Sequence, residues 1–184
     1  MNLEIVIQGT PNPNARKFVL NRDVIKQGKV GFGVEDEVGI PLAKVLLWIP
    51  HVVNVHFFEN VISVTQDGED DWNTLSDEIS KALKRNIETH NPDFNNQTGI
   101  EKKSLVGDLK KIDEILERTI RPGLQSDGGD LEVLEYKDNI VTINYQGACG
   151  GCPSSQAGTL DAIESILQNE FNSEIKVKVL EEFS

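Results

Sequence analysis

The sequence predicts an α+β protein built as two small domains, and three observations carry that expectation. Short segments that alternate apolar and polar residues are interspersed with longer ones whose apolar residues recur every three or four positions. The stretch 91–104 is polar, contains Pro92 and Gly99, and interrupts these periodic segments, so it reads as a linker. The blocks on either side, residues 1–90 and 105–184, each have the size of a small domain with its own core.

In the first block, Glu4 to Gln8 alternates as a strand and Lys17 to Leu20 forms another. The connection Thr10-Pro11-Asn12-Pro13-Asn14 is stiff and rich in turn residues. Pro41 to Trp48 predicts a short helix with Pro41 in its first turn and Pro50 ending it. Val52 to Phe58 and Val61 to Gln66 predict a hairpin across Glu59-Asn60. A helix follows from Trp72 to about Glu88, with Asp71 as N-cap and Trp72, Leu75, Ile79, Leu83 and Ile87 on one face. Trp48, Phe57 and Phe58 are expected as core or interdomain contacts, with a client-binding patch as the lesser reading. The three histidines are expected as surface or satisfied structural groups, with His56 facing solvent.

The second block predicts the order αββαβ. Leu105, Leu109, Ile112, Leu116 and Ile120 mark an amphipathic helix that Pro122 and Gly123 end. Ser126-Asp127-Gly128-Gly129-Asp130 reads as a tight turn, its two carboxylates structural rather than a calcium or magnesium site. Leu131 to Tyr136 and Ile140 to Tyr145 pair as a hairpin. A Cys-x-x-Cys loop follows, then a helix from Pro153 with Ala157, Leu160, Ile163, Leu167 and Phe171 inward. Ile175, Val177 and Val179 alternate in a closing strand. Arg118 and Arg121 read as a solvated helix end, or as cations that steady negative charge bound at the cysteine loop.

The formal net charge is −12. Residues 1–90 hold 9 basic and 13 acidic groups, and residues 105–184 hold 7 and 15, so the acidity concentrates in the second block. Such a surface repels phosphate backbones and anionic membranes, which argues against nucleic acid and membrane partners. No apolar run reaches the 18 to 20 residues that span a bilayer. The start of the chain lacks the features of a secretion or import signal. A cytoplasmic protein is expected, or an organelle-matrix one if the chain is a processed form.

The chain has two cysteines, Cys149 and Cys152, three positions apart. Two cysteines make no disulfide framework for a chain of this size, and so small a loop would stabilise the fold little. Chemistry is the remaining reason for the pair. With Pro153 in the first helical position, Cys152 becomes the N-cap, and both sulfurs lie near the positive end of a helix. That end favours thiolate, the form that binds metals. Gly147, Gly150 and Gly151 clear side chains from the approach and permit backbone angles that other residues resist.

A closed zinc or iron–sulfur site usually has four ligands. This chain offers two thiolates, and His51, His56 and His90 all lie in the other block. A second copy donating the same pair across a two-fold axis completes the set. A dithiol oxidoreductase is the rival from another class. Against it, no proline follows Pro153 to face a disulfide, and the remaining thirty or so residues are too few for a further strand–helix–strand unit. A zinc-bridged interaction module is a third reading of the same sulfurs.

Ile120-Arg121-Pro122, the Ser126 to Asp130 turn and Gln146-Gly147-Ala148-Cys149-Gly150-Gly151-Cys152-Pro153-Ser154-Ser155 resemble the C-terminal domain of NifU and the Nfu proteins. Thr10 to Ala15 with Lys17-Phe18, Pro41-Leu42-Ala43 and Trp72 resemble the N-terminal domain of Nfu proteins. The resemblance implies a non-enzymatic iron–sulfur carrier. It implies a [4Fe–4S] cluster, rather than [2Fe–2S], bridged between two subunits by the residues matching Cys149 and Cys152. The same resemblance implies an upstream scaffold as donor and apo iron–sulfur client proteins as acceptors.

Overall fold

The computed structural model describes residues 2–34, 36, 39–94, 106–149 and 153–180, with the backbone alone for 153–157. It divides into two compact units, residues 1–100 and 101–184.

The first unit is a five-stranded antiparallel sheet with helices on one face. Its strands are β1 (Ile5–Gly9), β2 (Ala15–Leu20), β3 (Lys29–Gly33), β4 (Val52–Phe58) and β5 (Val61–Gln66), in the order β1-β2-β5-β4-β3. Helix α1 (Pro41–Leu47) has Pro41 in its first turn. Helix α2 (Trp72–Asn86) is capped by Asp71, whose carboxylate accepts hydrogen bonds from Asn73 N at 2.7 Å and Thr74 Oγ1 at 2.8 Å. Phe18, Ile62, Val64, Val55 and Phe57 from the sheet meet Leu42, Leu46, Leu75, Ile79 and Leu83 in a fully buried core. Burial of such side chains contributes about 1.5–3 kcal/mol each. The turn before β2 is tied to α2 because Trp72 Nε1 donates to Pro13 O at 2.8 Å.

Three features of this unit depart from the sequence expectations. Strand β3 was absent from them, since Lys29-Val30-Gly31-Phe32-Gly33 carries two glycines that weaken a strand signal. It forms because β4 offers it an edge, and Gly31 lies opposite His56. His56 lies on the sheet face opposite Val55 and Phe57, as alternation requires, yet is 2% exposed rather than facing solvent. Trp48 is 74% exposed rather than a core contact, with the Lys44 ammonium 5.0 Å from its ring centroid.

The second unit places α3 (Asp108–Thr119), α4 (Arg121–Ser126) and α5 (Pro153–Glu170) with a three-stranded sheet, β6 (Gly129–Lys137), β7 (Ile140–Gly147) and β8 (Lys176–Val179). Strands β6 and β7 form an antiparallel hairpin, with Asp138 and Asn139 both at positive φ in the two-residue turn. Strand β8 pairs parallel to β7, a connection that needs the crossover helix α5. Ile112, Leu116, Leu131, Val141, Ile143, Ile163, Leu167 and Ile175 form the fully buried centre of the core. Pro122 and Gly123 do not simply end a helix as expected. They open the short helix α4, because proline is tolerated in a first helical turn, and the order becomes ααββαβ. Leu105 and the 95–104 part of the expected linker lie outside the described residues. No helix among the described residues is long and apolar enough to cross a membrane.

Candidate metal centre

The cysteine region is built on the open end of the β6–β7 hairpin. Gly129 at the start of β6 pairs with Gly147 at the end of β7. Gly128 at φ 82° and Gly147 at φ 62° both sit in the left-handed region that favours glycine. These two turns fold the chain back over the hairpin, and Ala148 N donates to Gly128 O at 3.2 Å.

Cys149 follows directly and lies over Gly129. A β carbon on Gly129 would stand 2.3 Å from Cys149 Sγ and 2.8 Å from its Cβ and its backbone nitrogen. The space of one missing side chain is thus filled by the cysteine. Cys149 is 5% exposed and belongs to the same buried cluster as Leu131, Ile143 and Tyr145. Strand alternation explains the company: Tyr145 and Gly147 share one face of β7, opposite Leu131 and Gly129 on β6. Tyr145 is 6% exposed, and its hydroxyl is buried without a hydrogen-bond partner among the described residues. Burial pushes its phenol pKa up to about 12, and the charge of Cys149 adds to the shift.

Beneath this turn a buried arginine orders the start of β6. Arg121, 5% exposed, reaches Asp113 and Glu117 on α3 and comes within 3.4 Å of Asp130 Oδ1. Its Nε and Nη2 also donate to Leu131 O. Asp130 is fully buried and accepts from Gln125 Nε2 at 3.0 Å and Leu131 N at 2.6 Å. Each buried charge is paired and hydrogen-bonded, the condition under which burial is tolerated.

Arg121 is therefore an interior anchor, not a member of a solvated helix end. Arg118 does lie at the surface, paired with Glu170. Asp127 caps α4, while Asp130 has left the turn for the strand, where its role is structural. Of the two expected ligands, Cys149 is placed by the structure; Cys152 lies outside the described residues. Helix α5 begins at Pro153, the residue after Cys152. Among the described residues no three His, Cys, Asp or Glu side chains group as metal ligands would. The sequence reading missed the parts played by Gly129 and Tyr145. The available signal was alternation, which sets Tyr145 two positions before Gly147, on the inward face.

Fold and turn together define a two-unit α+β protein with a cysteine-bearing β–α connection in the second unit. Residues 5–90 match the family described as scaffold protein Nfu/NifU N terminal, and residues 112–178 match the NifU-like domain. The chain thus carries an Nfu/NifU N-terminal domain and a NifU-like domain. It is 34% identical over 181 residues to NifU-like protein 4, mitochondrial, of Arabidopsis thaliana, covering 94% of this chain and 64% of that protein. It is 33% identical over 171 residues to the NFU1 iron-sulfur cluster scaffold homolog, mitochondrial, of Homo sapiens, covering 89% and 66%. The chain thus spans just under two thirds of the length of these curated relatives. The solution structure of a NifU-like protein from Saccharomyces cerevisiae aligns at 23% identity and TM-score 0.45, over 50% of this chain and 82% of that one.

Proposed function

We propose that this protein is a non-enzymatic iron–sulfur carrier that binds a cluster through Cys149 and Cys152 and passes it to apo-proteins. The observation that carries the reading is the seating of Cys149 on Gly129, at a glycine turn leading into helix α5, in a domain of the NifU-like family. The human relative is named an iron-sulfur cluster scaffold homolog, which supports the same cargo.

Two thiolates per chain leave a cluster two ligands short. A second copy supplies the missing pair, and the cargo is a [4Fe–4S] cluster shared in a homodimer. Delivery proceeds by ligand exchange, an acceptor's thiolates replacing Cys149 or Cys152 one at a time. The donor is an upstream scaffold and the acceptors are apo iron–sulfur clients. The relatives' names place them in mitochondria, which favours an organelle matrix over the cytosol for this chain.

Anaerobic reconstitution with iron and sulfide tests the reading by absorption, metal analysis and sizing. A brown dimer with about four irons per pair of chains is expected. A colourless zinc dimer, or a monomer cycling a disulfide at a thioredoxin-like potential, would sink it.

A further inference from the structure

Among the described residues, Tyr145 has a buried hydroxyl with no hydrogen-bond partner and belongs to the same buried cluster as Cys149. Its ring packs in the core of the second unit, in one buried cluster with Leu131, Ile143 and Cys149. Its hydroxyl is shut off from water, and no acceptor among the described residues meets it. The hydroxyl is thus an unmet donor within a buried cluster whose other members are aliphatic side chains and the Cys149 thiol.

A buried hydroxyl with no partner is a standing cost, since water would have satisfied it. Phenylalanine fills the same space without that cost, so packing alone does not account for tyrosine. The neighbouring sulfur changes character when it binds a metal. As a thiol, Cys149 is a weak acceptor and needs no help. As an iron-bound thiolate it carries negative charge in a place that water does not reach, and donors to such a sulfur become strong. Hydrogen bonds to ligand sulfurs are among the protein's levers on cluster stability and potential.

We propose that Tyr145 is a positioning residue for the cargo, whose hydroxyl donates a hydrogen bond to the Cys149 thiolate in the loaded protein. This inference rests on the carrier reading above. It makes the apo chain the poorer partner of the hydroxyl and the loaded chain the better one, so part of the binding free energy comes from satisfying a donor already in place. No covalent bond of tyrosine forms or breaks, and its proton stays on the phenol oxygen.

The test is Tyr145→Phe in the full chain, compared with wild type in both states. The apo variant is expected to unfold at the same or higher denaturant concentration, because a buried unpaired hydroxyl is gone. The loaded variant is expected to lose its cluster to a chelator about 10-fold faster, the change expected for one hydrogen bond to a charged acceptor. Its reduction potential shifts to more negative values, because the lost donor no longer offsets the added electron. Opposite signs in the two states separate this role from a structural one, which would weaken both. Two outcomes overturn the inference alone: a destabilised apo variant, showing that the hydroxyl already has a partner, or a loaded variant that matches wild type in cluster loss and potential. A wild-type chain that takes up no cluster at all overturns the carrier reading, and this inference with it.

Discussion

A β carbon on Gly129 would stand 2.3 Å from the sulfur of Cys149, so the first residue of β6 is the floor on which the cysteine rests. No real β carbon tolerates such a distance. Because backbone and Cβ of Cys149 are also within 2.8 Å of that point, rotation of the sulfur alone does not relieve the clash.

Gly129→Ala is therefore expected to push the cysteine turn off the hairpin. Overpacking of this kind costs about 1–3 kcal/mol. Denaturant unfolding should show that loss in the second unit, and reconstitution should yield less cluster per chain. An alanine variant with wild-type stability and loading would remove Gly129 from the site.

The Arg121 anchor makes a second prediction. Removing one partner of a buried, hydrogen-bonded charge pair costs about 3–5 kcal/mol, and Asp130 is fully buried. Arg121→Ala is expected to lower stability by an amount in that range. Asp130→Asn keeps the shape and the bonds to Gln125 and Leu131 in part, so a smaller loss is expected. Urea titration of the three proteins ranks them, and equal midpoints would contradict the anchor.

Replacing either cysteine tests ligation. Cys149→Ser and Cys152→Ser are each expected to abolish the cluster and the dimer that depends on it, with the circular dichroism of the wild-type fold retained. Cys149 in a Cys152→Ser background should also react with a bulky maleimide far more slowly folded than unfolded, because its side chain is buried. A single-cysteine variant that still loads a cluster would refute the assignment.

The first unit contains its own pH-sensitive contact. His90 Nε2 lies 2.6 Å from Val24 O, and its ring meets Phe57 and Phe94 edge-on or tilted. Burial lowers its pKa, outweighing the carbonyl contact that raises it. The unfolded chain thus takes up the proton more readily than the folded one, so stability rises with pH. The contribution is complete above about pH 6.5, the ordinary histidine value, and is lost as pH falls from there through the lowered folded value. His90→Gln should flatten the stability profile below pH 6.5. An unchanged slope would show that His90 titrates equally in both states.

Much of the fold was legible because it rests on local rules. Pro41 in a first turn and Asp71 as a cap are short-range signals, and each lies where expected. Strand β3 was not legible, since its two glycines carry no propensity and only the free edge of β4 makes it a strand. Pro122 reads as a stop in the sequence, and α3 does end at Thr119; that the same residue also opens α4 was not legible, because a proline suits both places.

The Cys149–Cys152 spacing, with its glycines and Pro153, was enough to propose half of a metal site, because ligand type and number are properties of composition. Sequence order alone could not seat Cys149 on Gly129 or put an unpaired phenol beside it. Those contacts join residues 20 and 4 positions apart through the pairing of β6 with β7 and the turn at Gly147. Pairing and register are set by the whole core, which is why the surroundings of the sulfur became visible only in the folded chain.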